Sequence, residues 1–284
     1  MFSKRINNII LSILFIFSLL PLVAGLGYAL FYSLGLTGVL NTGFTLKHWA
    51  TLFKEGNVLL SFGYSALVAV ASIIIAVALS IVTALRLHGS LQKGLTSYLI
   101  YIPLAFPGIV AAFFFFQLFT KAGILSRLAY TLNITSNINE FPDLVNDQWG
   151  IGMICSFVFL AFPFFVLLYV NIINSERLPE LKQMASTLGA NKNMMLWRLS
   201  VPVLLRKSLP NIILYFIFIF GAFEVPLLLG RSNPEAVSVL AVRKLQRFNL
   251  LDLPQGYAVA VLYSIFVLAA MWLLFKTKNL ANEN

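Results

Sequence analysis

Side chains able to do chemistry are few and scattered in this chain. His48 and His88 lie far apart, neither with a carboxylate cluster beside it, and Cys155 is the single cysteine. Ser-His-Asp or paired-carboxylate catalysis needs a nucleophile, a base and an orienting group that can converge. Nothing in the spacing supports such a set. No G-x-x-x-x-G-K-[ST] loop occurs, so the chain does not itself cradle nucleotide phosphates. One cysteine builds neither a disulfide framework nor a cysteine-rich metal site, and Cys155, in an apolar run, reads as a small core residue. No catalytic residue, cofactor or metal is implied. The acid that stands out is Glu224 in "FGAFEVPLLLG" (220–230). Its surroundings are apolar enough to lie at membrane depth, where a carboxylate is costly unless it is paired, protonated or wet. Glu224 therefore lines a solute path, bonds to a neighbouring helix, or sits at a hydrated helix end. Pro226, two residues later, would loosen the helix there.

The elements that must position these groups are membrane helices. Of 284 residues, 60% are hydrophobic and only 11% charged, against roughly 25% charged in a soluble domain. Mean hydropathy is +0.89. The formal charge of +10 would suggest nucleic acid in a soluble protein. Here it follows instead from basic residues gathering in loops on the cytoplasmic side, and no nucleic-acid role is expected. Six stretches reach the ~20 residues that span a bilayer, near 9–34, 58–86, 96–120, 149–174, 207–230 and 255–276. The first, following Lys4 and Arg5, is too long for a signal peptide and reads as an uncleaved span. With the N-terminus inside, 12 of the 20 Lys and Arg residues fall on the cytoplasmic side, Lys93 among them, which places both termini inside. The expectation is an all-α integral membrane protein of one domain, residues 1–284.

Within the spans, Ser65, Ala69, Ser72, Ala76 and Ser80 recur at steps of three or four, a small-residue face suited to close helix packing. Pro103, Pro107 and Gly108 predict a break in the third span. The segment 235–252 carries Arg243, Lys244 and Arg247 at helical spacing and reads as a surface helix or re-entrant element.

Between the fourth and fifth spans runs a polar loop, 177–206. Leu178, Leu181, Met184, Ala185 and Leu188 form one apolar stripe at helical spacing. Pro179 suits the first turn of that helix and Gly189 a left-handed cap at its end. Asn191 would cap a second short helix, ended by Pro202. Two fates fit such a loop: lying in the lipid interface, or docking its stripe into a groove on another protein. On residues alone an ATP-driven transporter subunit, a secondary transporter, and a channel or assembly subunit all remain open.

The loop also resembles a known family. Permeases of type I binding-protein-dependent ABC importers carry a cytoplasmic motif written E-A-A-x3-G-x9-I-x-L-P. Here Gln183, Met184 and Ala185 precede Gly189 at that spacing, and Leu199, Val201 and Pro202 follow it. Two departures are Gln183 for the glutamate and Met184 for the first alanine. The resemblance implies a subunit of the bacterial inner membrane that pairs with a second permease, identical or homologous, to enclose a solute path. It implies two ATP-binding cassette ATPase subunits docking on the loop through Leu181, Gln183, Met184, Ala185, Leu188 and Gly189, with Pro202 shaping its end. It also implies an external solute-binding protein. "FEVPLLLG" further resembles the fifth span of polyamine-type permeases, whose relatives import thiamine, iron and phosphonates. That likeness implies a small hydrophilic solute passing Glu224 and Pro226.

Overall fold

The computed structural model describes residues 4–282 apart from 40, 42, 93, 94, 138, 139 and 248, with side chains within 10–91 and 98–272. Lys93, used above for orientation, lies outside the described residues. Among the described residues there is no strand. The helices are α1 (Lys4–Ser33), α2 (Lys47–Lys54), α3 (Asn57–Gln92), α4 (Leu95–Tyr101), α5 (Gly108–Phe119), α6 (Ile124–Thr131) and α7 (Ile151–Ser175). They continue as α8 (Leu178–Thr187), α9 (Lys192–Met194), α10 (Val201–Gly221), α11 (Glu224–Leu229), α12 (Val237–Gln246) and α13 (Leu253–Asn282). Six helical stretches among the described residues are long and apolar enough to cross a membrane: Ile10–Ser33, Asn57–Leu91, Gly108–Thr131, Ile151–Ser175, Lys192–Gly221 and Leu253–Trp272. The fold is an all-α integral membrane fold.

Two of the expected spans differ in detail, both because of proline. In the third, α4 gives way to a 3-10 turn at Ile102–Ala105 and an extended Phe106 (φ −83°, ψ 121°) before Pro107 and α5. A residue preceding proline is pushed out of the helical region by the proline ring, so the break falls at Phe106. The membrane-length stretch is then Gly108–Thr131, beginning about a dozen residues later than expected at 96. In the fifth, α10 stops at Gly221, Ala222 is extended (φ −61°, ψ 136°), and α11 starts afresh at Glu224. In an unbroken helix the Pro226 ring would collide with the carbonyl four residues back, that of Ala222. The chain breaks there, ahead of the proline.

Pro202, by contrast, ends nothing. Met195–Ser200 form a π-helical segment that runs directly into α10, with Pro202 in its first turn. The wider π turn accommodates a ring that a regular α turn would exclude. The expected second short helix is therefore the beginning of the fifth span.

The residues group into two compact units. One joins the chain up to Ser61 with Val237–Ala269. In it Tyr28, Tyr32 and Tyr257 pack ring against ring, Tyr32 and Tyr257 with centroids 4.5 Å apart. The Trp49 indole donates to Ser33 Oγ at 3.3 Å. Helix α12 is not simply a surface helix. Val237, Leu240 and Lys244 are buried on one face. The Lys244 ammonium pairs with Glu55 at 3.0 Å and donates to Gln255. A lysine buried this deeply needs such partners, and α12 turns toward them.

The other unit joins Phe62–Ala236 with the chain from Ala270 onward. The small face of α3 is buried as expected: Ala69, Ser72, Ala76 and Ser80 have no exposure. Its Ser80 hydroxyl donates to the Phe162 carbonyl of α7 at 3.0 Å. Small side chains permit that approach, and dispersion between close backbones holds membrane helices together. Opposite, α7 buries Phe157, Phe165 and Tyr169, and Tyr169 shares a 3.2 Å hydrogen bond with Ser208 of α10. Cys155 is half-buried rather than in the core. His48 lies in α2 and His88 in α3, and His88 Nε2 meets Asn174 Oδ1 at 2.8 Å.

Candidate functional site

Helix α8 is set by its two ends. At the start, Arg177 takes left-handed angles (φ 49°, ψ 41°), which turns the chain sharply out of α7. Leu178 and Pro179 then occupy the first turn, where a missing N–H is no loss. Leu178 has no exposed surface and anchors the helix. Beside it, Lys207 of α10 pairs with Glu176 at 2.8 Å, tying the α7–α8 junction to the fifth span.

The other end is a Schellman motif. Gly189 has φ +83°. Its N–H donates to the Ser186 carbonyl and that of Ala190 to the Ala185 carbonyl, both at 3.0 Å. These bonds satisfy carbonyls the helix end would leave orphaned. Two residues on, Asn191 Oδ1 accepts from the Met194 N–H at 2.8 Å and opens the next helix. The glycine cap, the proline start and the asparagine cap are all as the sequence led one to expect.

Between those ends the apolar stripe divides. Leu178 faces inward and Ala185 is half-buried, while Leu181, Met184 and Leu188 are exposed by 38%, 64% and 88%. Gln183 is also exposed. Leu181, Met184 and Leu188 therefore form an outward apolar row along one short, rigidly capped helix. Pro202 stands apart from this row, in α10.

The second constellation lies where the two broken helices meet. Helix α11 packs chiefly on α5, and both lie against α7. Glu224, the first residue of α11, is exposed, and Pro226 is buried behind it. The Glu224 carboxylate lies over Gly108: a Cβ built on that glycine would come 2.7 Å from Glu224 Oε2. Gly108 opens α5, so the carboxylate sits at the positive end of that helix, which favours a negative charge. Among the described residues no cation pairs with Glu224. The Pro107–Gly108 step was visible in the sequence as a break, but its partnership with Glu224 was not. The Lys207–Glu176 tie and the Leu178 anchor likewise carry no signal in residue spacing.

Comparison with protein families matches residues 76–275 to "Binding-protein-dependent transport system inner membrane component". Among solved structures, a bacterial ABC transporter involved in the import of the acidic polysaccharide alginate superposes with a TM-score of 0.64. The alignment covers 95% of this chain and 98% of that one, at 16% identity. Comparison with curated proteins gives no match. The family model covers most of the chain, and the fold agrees with it. The chain belongs to the binding-protein-dependent transport system inner membrane components: it is a type I permease subunit of an ABC importer, a multi-pass membrane protein without a catalytic centre of its own, from a family that works with ATPase and solute-binding partners.

Proposed function

We propose that α8 is the element through which this permease is driven, docking on an ATP-binding cassette ATPase, and that two such permeases enclose a path passing Glu224. The observation that carries the proposal is the exposed row Leu181–Met184–Leu188 on a helix whose base, Leu178, is fully buried. An apolar row standing out in water seeks a partner groove. The buried leucine and the Lys207–Glu176 pair let a push on α8 reach α7 and α10 rather than dissipate in the loop. The α8 side is then cytoplasmic, with both termini inside and the 130–147 segment outside. An external binding protein supplies the solute. Glu224, uncompensated by any cation among the described residues, suits a small hydrophilic solute with a cationic group, as in the polyamine-like, thiamine or iron classes, ahead of the phosphonate class.

The test is co-purification of the tagged permease with its ATPase, combined with uptake into vesicles. Leu188→Asp and Ala185→Asp should leave the permease folded and inserted while the ATPase is lost, or is retained without driving uptake. Normal ATPase recovery and normal uptake in both variants would overturn the docking proposal. Glu224→Gln should preserve assembly and lower uptake of a cationic solute; unchanged uptake would remove Glu224 from the path.

A further inference from the structure

On the outside of the second unit, a groove of about 490 Å³ runs between α3 and the π segment leading into α10. Ile74, Val77, Ile81 and Leu85 form one wall, and Trp197 and Leu205 the other. Among the described residues, Arg86 is the one charged residue lining it. It is also the first charge on α3 after the unbroken apolar run from Asn57. From Ile74 to Arg86 the helix rises roughly 18 Å. One leaflet of the hydrocarbon core is roughly 15 Å deep, half of ~30 Å. The groove thus reaches from the membrane boundary on the α8 side to about the bilayer midplane.

We infer that this groove is a binding site for an anionic glycerophospholipid, its phosphate on the Arg86 guanidinium and an acyl chain along the apolar walls. Three observations select this occupant. Arg86 is exposed and, among the described residues, unpaired. The acids at this end are engaged elsewhere, Glu176 with Lys207 at 2.8 Å and Glu180 with Arg177 at 3.9 Å. A guanidinium free at the membrane boundary matches a phosphate in both charge and fork geometry. Trp197, 68% exposed, belongs to the residue type that settles at the headgroup level. This inference goes beyond the docking proposal and stands whether or not an ATPase binds α8.

The test uses Trp197 as the reporter. The full chain is reconstituted in phosphatidylcholine vesicles containing increasing fractions of phosphatidylglycerol with brominated acyl chains. A parallel series uses brominated phosphatidylcholine. Subtracting the fluorescence of Trp197→Phe isolates the groove signal. Attraction of one basic side chain for an anionic lipid predicts half-quenching at about fivefold lower mole fraction for phosphatidylglycerol. Arg86→Gln should abolish that preference and leave quenching by the apolar walls intact. As a second measurement, native mass spectrometry of the detergent-extracted protein should show phosphatidylglycerol retained by wild type and lost from Arg86→Gln. Equal quenching by the two lipids, or a preference that survives Arg86→Gln, would overturn the inference. So would absence of quenching, which would mean that protein, such as a second permease, covers the groove.

Discussion

At the Gly189 cap, backbone conformation and side-chain space are separable. Its φ of +83° lies in the left-handed region, and a Cβ added there meets nothing within 4 Å. Any cost of Gly189→Ala is therefore backbone cost alone, about 1–2 kcal/mol for an L-residue held in left-handed angles. That corresponds to a roughly 5- to 30-fold larger open fraction of the cap. Asparagine, which tolerates these angles, should lose less than alanine, and β-branched valine should lose most. The assay is amide hydrogen exchange at Ala190, whose N–H bonds to the Ala185 carbonyl. Protection should fall in the order Gly, Asn, Ala, Val, and ATP-driven uptake should fall in the same order. Helix α8 itself should persist in every variant, since Leu178 still anchors it. Unchanged Ala190 protection in Gly189→Val would refute the cap argument. Loss of protection without loss of uptake would show that the turn is not part of the coupling path.

Three further outcomes test other parts of the structure. Gly108→Ala places a methyl 2.7 Å from Glu224 Oε2, a contact the end of a flexible side chain relieves by moving. Yield should change little while uptake falls as in Glu224→Gln, and wild-type uptake in Gly108→Ala would show that the carboxylate's position is immaterial. In the first unit, Glu55→Gln leaves the 5%-exposed Lys244 ammonium without its counter-charge, whereas Lys244→Met leaves the 41%-exposed Glu55 in reach of water. Glu55→Gln should therefore be the more damaging, by about 1–3 kcal/mol relative to wild type, and thermal unfolding in detergent giving the reverse order would contradict the burial argument. Reporter fusions within 186–193 should behave as cytoplasmic and those within 130–137 as external; the opposite pattern would invert the proposed direction of transport.

Much of this molecule is legible in one dimension because membrane helices are local objects. Every backbone group in lipid must be satisfied within the segment, so an apolar run of sufficient length is enough to predict a span. Caps are equally local. Gly189 and Asn191 act on residues three to five positions away, and both were readable from residue type and spacing alone. The absence of a phosphate loop, and the motif spaced through Gln183, Ala185, Gly189 and Pro202, were likewise properties of the string.

What required the third dimension was every pairing between distant segments. The breaks at Phe106 and Ala222 follow from Pro107 and Pro226, but their meeting at Gly108 and Glu224 depends on how α11 packs against α5. Lys244 looked like a surface charge because its partners, Glu55 and Gln255, come from elsewhere in the chain. Pro202 read as a helix end because a regular turn would exclude it, and only the π segment before it reconciles the ring with a continuous helix. Hydrogen-bonding periodicity and chain sterics reach only a few residues and are encoded where they act. Ion pairs, burial and helix contacts depend on distances between segments, which packing decides.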